Sequence, residues 1–292
     1  MEDQSVVAID IGGTKTRVAL LADPARSPDL TLLDTFPTEE RYERQLDQLT
    51  QAMSIQAHGL SAKTNGVRIG VSVGARLARD GGAVAVAPNL RDYEGRPFVR
   101  DLAARCGVPV RLAHDPVCGL LAERRFGALR DADRCAYLTV STGTGAAIFL
   151  GSAGEVGQAL SIEFGHQTLD GDTRRCLCGQ TGCLETYTGG RQLALRYGRP
   201  LEEIDDAAVW DALYGKLALG LVNLAQLTRV EVVTLSGAIS LGRSGFLDAL
   251  RERIDTRLRG LSLRLELAAL GEQAPLVGAS LLPDTPEWSI LH

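Results

Sequence analysis

An α/β protein with two similar lobes is predicted by three observations. Short apolar strands alternate with helices along the whole chain, the pattern of sheets flanked by helices. A unit of β-branched strand, glycine- and threonine-rich turn and second strand opens the chain at 6–21 and returns about 130 residues later, at 136–150. The length of 292 residues suits two domains of ordinary size.

The first unit reads Val6-Val7-Ala8-Ile9, then Asp10-Ile11-Gly12-Gly13-Thr14-Lys15-Thr16, then an apolar run from Val18 to Leu21, economically strand, turn and strand. Tyr42 to Met53 sets Leu46, Leu49 and Met53 at helical spacing, and Val67 to Val73 reads as a buried strand. Pro97 to Cys106 is expected to be a helix closed by Gly107 and Pro109. A strand from Val110 to Ala113 leads through His114 and Asp115 into a helix over 117–126, and Pro116 has the fixed φ favoured at a first helical position. Asp115 therefore stands where a strand hands over to a helix.

The second unit comprises Ala136 to Val140, then Ser141-Thr142-Gly143-Thr144-Gly145, then Ala146 to Leu150. A glycine- and cysteine-rich loop follows at 165–182, then a long apolar helix at 207–228 and a strand at 230–235 ending in Ser236-Gly237-Ala238. An amphipathic helix at 246–258 and a small-residue helix at 274–282 complete the chain. No stretch has a linker's composition, so closely joined lobes with a cleft between them are expected. Both turns present backbone N–H groups without side-chain bulk, which suits phosphate oxygens, although a plain tight hairpin explains either one alone. Neither is a Walker A loop.

At 45% hydrophobic and 23% charged residues, the composition is that of a soluble globular protein. No uninterrupted apolar run approaches the roughly 18 residues of a membrane span. The formal charge is −5, and Arg251, Arg253, Arg257, Arg259 and Arg264 are interleaved with Glu252, Asp255 and Glu266, a solvated face and not a nucleic-acid footprint. The start, Met1-Glu2-Asp3-Gln4, lacks a secretory leader's basic and apolar regions, so a cytoplasmic location is expected, with no membrane or nucleic-acid partner.

Cysteine usage is uneven. Cys106, Cys118 and Cys135 are scattered in apolar surroundings and read as core residues, whereas Cys176, Cys178 and Cys183 are clustered, with His166 nine intervening residues upstream. One imidazole and three thiolates make a complete tetrahedral zinc set, and Gly179 and Gly182 let the chain wrap round the ion. Four protein ligands leave no open position, so such a metal is structural. The alternative is a disulfide or free core thiols at Cys178 and Cys183. Glu163 and Glu185 flank the loop, and a closed metal knot would hold both in place; taken singly, each reads equally well as a solvated surface glutamate.

Taken together, Asp10-Ile11-Gly12-Gly13-Thr14-Lys15, Glu163-Phe164-Gly165-His166, the nine-residue gap and the Cys-x-Cys-Gly-x-x-Gly-Cys-x-Glu run resemble the ROK (repressor, open reading frame, kinase) family of bacterial sugar kinases. Further matches are Ala87-Pro88-Asn89-Leu90, Phe126-Gly127-Ala128, the Ser141 to Ala147 turn and Val277-Gly278-Ala279, so the resemblance covers nearly the whole chain.

The resemblance implies a two-lobed actin-like, ribonuclease H-like sugar kinase fold with an interlobe cleft. One lobe would comprise 1–113 with the last helix, 274–292, crossing back to it, and the other 114–273 with the zinc-binding loop. It further implies ATP with its phosphates against Gly12, Gly13 and Thr14 on one side and Thr142 and Gly143 on the other, Lys15 close by, and adenosine near Gly237 and Ala238. Mg2+ would ride on the phosphates near Asp10, and the sugar would lie against Asn89, His114, Asp115, Glu163, His166 and Glu185. A homodimer is implied as well. Phosphoryl transfer needs positioning, charge neutralisation and one base, and Asp115 is the candidate base, with a helix N-cap carboxylate as its plain structural alternative.

Three departures from the family pattern bear on the expected activity. His114 replaces the usual asparagine before the catalytic aspartate, Gly74-Ala75 replaces Pro-Gly, and Ser141, Ala146 and Ala147 replace glycines of the second turn. The leading expectation is ATP-dependent phosphorylation of a hexose or N-acetylhexosamine, with polyphosphate an alternative donor. A sugar-binding sensor that has lost catalysis is the second reading. The family's repressor branch carries a helix-turn-helix ahead of the same lobes; only five residues precede the first strand, so that module is expected to be absent.

Overall fold

The repeat in the sequence is a repeat of sheet topology. The computed structural model describes residues 5–60, 67–151, 157–169, 171 and 173–292; Met1–Gln4, which bear on the leader, and Asp170 and Asp172 of the cysteine-rich loop lie outside them. The chain forms two compact units, one of 1–122 with 273–292 and one of 123–272.

The first unit runs β1 (Val6–Ile11), β2 (Lys15–Leu21), β3 (Thr31–Pro37), α1 (Tyr42–Leu60), β4 (Arg68–Val73), a hairpin of β5 (Arg76–Leu77) and β6 (Val84–Val86), α2 (Phe98–Cys106), β7 (Val110–His114) and the start of α3 (Asp115–Phe126). Its main sheet has the order β3-β2-β1-β4-β7. The first three strands are antiparallel neighbours, and β4 and β7 continue parallel to β1. β1 lies mid-sheet and is buried along its whole length, as its unbroken Val-Val-Ala-Ile run requires.

The second unit runs β8 (Arg134–Val140), β9 (Thr144–Leu150), β10 (Gln158–Ile162), α4 (Glu185–Thr188), α5 (Gly190–Tyr197), α6 (Ala207–Thr228), β11 (Val232–Ser236), α7 (Ala238–Gly242), α8 (Phe246–Asp255) and β12 (Arg264–Leu267). Its strands follow the order β12-β11-β8-β9-β10, with the same alternation of antiparallel and parallel neighbours. Counted within each unit, both sheets read third, second, first, fourth, fifth, which is the ribonuclease H-like order. α6 is apolar on nearly every face because it is the central core helix: Leu213, Leu217 and Leu221 are wholly buried, and Tyr214 meets Phe246 of α8 edge-on at 5.2 Å. Its N-terminus is capped by Asp206, whose carboxylate accepts the Ala208 N–H at 2.9 Å.

The final helix, α9 (Ala274–Leu281), belongs to the first unit. Its small residues have a steric cause. A Cβ on Gly70 of β4 would lie 1.8 Å from the Ala279 carbonyl oxygen, and one on Gly278 would lie 1.8 Å from that of Cys118 in α3. α9 thus packs backbone to backbone against strand and helix. Among the described residues, no helix is long and apolar enough to cross a membrane.

Glu123 begins the second unit and ties it to its own end. Wholly buried, its Oε2 accepts the N–H groups of Ala128 at 2.8 Å and Ala269 at 3.1 Å, and its Oε1 that of Leu270 at 2.8 Å. Gly127 is required beside it, since a Cβ there would meet that carboxylate at 1.9 Å. Glu123→Ala leaves three backbone donors without their acceptor, about 1 kcal/mol or more each. Thermal unfolding should show a loss of roughly 6–12 °C, the shift about 3 kcal/mol produces in a unit of this size. An unchanged midpoint would show the carboxylate to be dispensable.

Candidate active site and metal-ligand cluster

In the first unit, the residues singled out by sequence gather at the carboxyl ends of the parallel strands β1, β4 and β7. Asp10, Ser72 and Ala113 share one rung of the sheet. Asp10 is buried and doubly held: its Oδ1 accepts from Ser72 Oγ at 2.9 Å and its Oδ2 from Arg17 Nη2 at 2.7 Å. The β1–β2 register places Arg17 directly opposite Asp10. The intervening turn is closed by the Gly12 N–H donating to the Lys15 carbonyl at 3.0 Å and pinned by Thr38, whose Oγ1 donates to the Gly12 carbonyl at 2.8 Å. Thr14 and Lys15 stand exposed at its tip. Asn89 lies half-buried in a turn after β6, closed by the Leu90 N–H and the Ala87 carbonyl at 2.9 Å.

His114 ends β7 and Asp115 opens α3, with His114 Nε2 3.1 Å from Asp115 Oδ1. Burial pushes the Asp115 carboxyl up from 3.8 to about 8, the neighbouring Asp10 carboxylate adds to the rise, and a backbone hydrogen bond partly opposes it. The side chain still keeps 30% of its surface open. A carboxyl poised near neutral pH and reachable from solvent is suited to accept a proton from a bound hydroxyl.

In the second unit, Thr144 is the node. Its N–H donates to Glu185 Oε2 at 2.8 Å, its hydroxyl meets that of Thr188 at 2.7 Å, and its carbonyl oxygen would lie 2.1 Å from a Cβ on Gly165. Gly165 thereby brings the Glu163–His166 segment against the start of β9, beside Glu185. The turn at Ser141, Thr142 and Gly143 is anchored to the start of α5, since the Gly190 and Arg191 N–H groups donate to the Ser141 and Thr142 carbonyls at 2.8 and 2.9 Å. Gly237 has a φ of 92°, and a Cβ there would lie 2.5 Å from the Val140 carbonyl oxygen. Only glycine fits that approach, which sets Gly237 and Ala238 against the end of β8.

The ligand atoms of His166, Cys176, Cys178 and Cys183 all lie within 4.8 Å of one another. Cys178 and Cys183 Sγ are 3.7 Å apart, and Cys176 Sγ is 3.8 Å from His166 Nδ1. A tetrahedron with metal–sulfur bonds of about 2.3 Å has edges of about 3.8 Å, so the cluster has the dimensions of a zinc cage and not of a disulfide, whose sulfurs are about 2.05 Å apart. Burial and the neighbouring thiols push Cys183 well up and Cys176 up to about 11, so these thiols keep their protons until a cation displaces them. Gln192 Nε2, buried in α5, donates to Cys176 Sγ at 3.1 Å, an outer-shell partner for a thiolate. With Nδ1 directed at the cluster, the other nitrogen of His166 faces Glu163, Nε2 to Oε2 at 4.0 Å. The knot rests on α6, where Gly220 leaves room for Leu184, Gln167 and Phe164.

Sequence reasoning missed Arg17, Ser72, Thr144 and Gln192. Arg17 was within its reach: a hairpin pairing Gly12 with Lys15 also pairs Asp10 with Arg17. The others depend on contacts distant in sequence.

The ROK family model matches residues 6–285. A glucokinase of Streptomyces coelicolor is 26% identical, over 96% of this chain and 98% of its own length. A xylose repressor of Bacillus subtilis is 27% identical over 66% of this chain, which spans only 54% of that protein. Among solved structures, a ROK family glucokinase from Streptomyces griseus in complex with glucose and AMPPNP superposes with a TM-score of 0.76 at 25% identity, covering 96% of this chain and 100% of the other. The fold class is therefore the actin-like α/β one, and with its motifs matched across both units the chain belongs to the ROK family.

Proposed function

We propose that this chain phosphorylates a hexose or N-acetylhexosamine with ATP, Asp115 acting as the base. The observation that carries this reading is the Asp115 carboxyl, set at the carboxyl end of β7 and poised at about 8. As the sugar oxygen bonds to the γ-phosphorus and the bond to the ADP oxygen breaks, the hydroxyl proton passes to Asp115. The first unit contributes that base, Asn89 as a hydroxyl partner and the Gly12–Thr14 backbone for phosphate. Asp10 is the acidic group beside that turn and, since its oxygens already accept from Ser72 and Arg17, it would meet Mg2+ through water. Within the second unit, the family resemblance assigns the Thr142 and Gly143 backbone to phosphate, Gly237 and Ala238 to the nucleoside, and Glu163, His166 and Glu185 to sugar hydroxyls. Glu185 keeps Oε1 for that purpose while Oε2 holds Thr144.

Zinc bound by His166, Cys176, Cys178 and Cys183 would supply a rigid cross-link. Ligation through Nδ1 leaves the proton of His166 on Nε2, as a donor beside Glu163.

ADP release measured across a panel of hexoses and N-acetylhexosamines, with ATP and with polyphosphate as donors, tests the reading. Sugar-dependent release is the expected result. A sugar that binds without consumption of either donor would favour the second reading, a regulator, to which the likeness to a xylose repressor lends support.

The raised carboxyl fixes the direction of two pH effects. The kcat/KM profile should climb with pH along a limb centred near 8, as the free protein's Asp115 loses its proton. Stability runs the other way. Between 3.8 and about 8 the folded chain holds a proton that the unfolded chain releases, so this group makes folding less favourable as pH rises. Asp115→Asn removes that slope: its melting temperature should exceed the wild type's by more at pH 8.5 than at pH 5. A constant difference across that range would contradict the assignment.

A further inference from the structure

The His114–Asp115 contact joins two rigid elements. His114 is the last rung of β7, paired with Val73 of β4, and Asp115 is the first residue of the 12-residue helix α3. The imidazole keeps 15% of its surface open, the carboxyl 30%. The 3.1 Å separation of Nε2 and Oδ1 is within hydrogen-bond reach, and at partial burial such a bond counts for more than it would at the open surface. Around the pair stand Asp10 from β1, which repels a second negative charge, and the buried thiol of Cys118 from α3, itself pushed up by burial and by both carboxylates. Arg17 is committed to Asp10 at 2.7 Å. The carboxylate form of Asp115 therefore gains from a donor of its own, and His114 is placed to be it.

We propose, on the reading of Asp115 as the base, that His114 is its positioning residue. The Nε2–H group donates to Oδ1 and fixes the carboxyl's rotation, leaving Oδ2 to take the proton of the sugar hydroxyl. During transfer the hydroxyl O–H bond breaks, its oxygen bonds to the γ-phosphorus as the bond from that phosphorus to the ADP oxygen breaks, and its proton ends on Oδ2; ADP leaves and the Nε2–H bond stays intact throughout. His114 thus acts on turnover by orienting the base, not on sugar affinity.

Two measurements test this, one independent of activity. The chain has four histidines, so imidazole 1H–15N spectra of wild type and His114→Gln assign the His114 signals directly. They should report the Nε2–H tautomer, and Asp115→Asn should shift them. An Nδ1–H tautomer, or signals indifferent to Asp115→Asn, would overturn the inference. In steady-state assays, His114→Ala should lower kcat about 10- to 100-fold, the usual cost of a misplaced reacting group, with KM within about twofold. His114→Gln, whose amide N–H reaches the same point, should recover most of the lost turnover. A His114→Ala variant with unchanged kcat, or with only a raised KM, contradicts the proposal. Asp115→Asn run in parallel separates the two claims: if it retains full turnover the base itself is wrongly assigned, whereas if it is inactive and His114→Ala is not, only the role of His114 falls.

Discussion

Chelation of the metal, or the substitution Cys178→Ser, is expected to abolish sugar binding and release the 163–185 segment from its fold. Cys178 is only partly buried, so serine there removes a ligand with little loss of packing. Among its described residues, the segment buries only Phe164, Leu169 and Leu184 as hydrophobic side chains besides the thiols of Cys176 and Cys183. Short cross-links such as the Thr168–Cys183 and Arg175–Thr181 bridges do little to hold it. Structural zinc in small peptides is worth roughly 10–16 kcal/mol, as much as the stability of a whole domain. Without it Glu163 and His166 lose their fixed positions, and Glu185, two residues after Cys183, loses its support. Metal analysis should find one zinc per chain, and trypsin should cut the stripped protein at Arg174 or Arg175 while sparing the metal-loaded form. Full sugar binding by zinc-free protein would contradict this.

Replacing Asp115 with asparagine should lower turnover by about 10²–10⁴-fold, the usual worth of a positioned base, with the sugar still bound. An amide has nearly the carboxylic acid's shape, and at neutral pH the wild-type group is largely protonated, so the site's charge and packing barely change. What is lost is the capacity to take up a proton. Calorimetric titration with sugar separates the outcomes: binding retained with turnover lost supports the role, whereas loss of both marks Asp115 as a sugar contact alone.

The parts of the fold legible in sequence are those buried on both sides. β1, β4, β8 and β11 stand mid-sheet and show as largely apolar runs, and α6 shows as a long apolar helix. Of the edge strands, β7 is read from its Val110 to Ala113 run, but β3 and β12 are not. β3, with Asp34 and Pro37 and most of its residues exposed, and β12, Arg-Leu-Glu-Leu, have one open side and no steady alternation to betray them. The site divides along similar lines. The four candidate metal ligands, whose ligand atoms lie within 4.8 Å of one another, and the turn glycines are read from spacing, because backbone wrapping and a tetrahedral set would demand it locally. Arg17 on Asp10, Thr144 under Glu185 and Gln192 on Cys176 come from pairings that only a folded chain makes. Glu123 is the clearest instance, a charged residue in helix α3 whose burial no local pattern reveals.

The central claim, that this chain moves a phosphoryl group from ATP to a sugar hydroxyl with Asp115 as base, is tested most directly by 31P NMR of the reaction itself. Wild type with ATP, magnesium and a sugar that binds should yield a phosphomonoester resonance growing in step with ADP, and Asp115→Asn should yield almost none. If ATP and sugar both bind and the spectrum shows either unchanged nucleotide or inorganic phosphate alone, the claim is wrong.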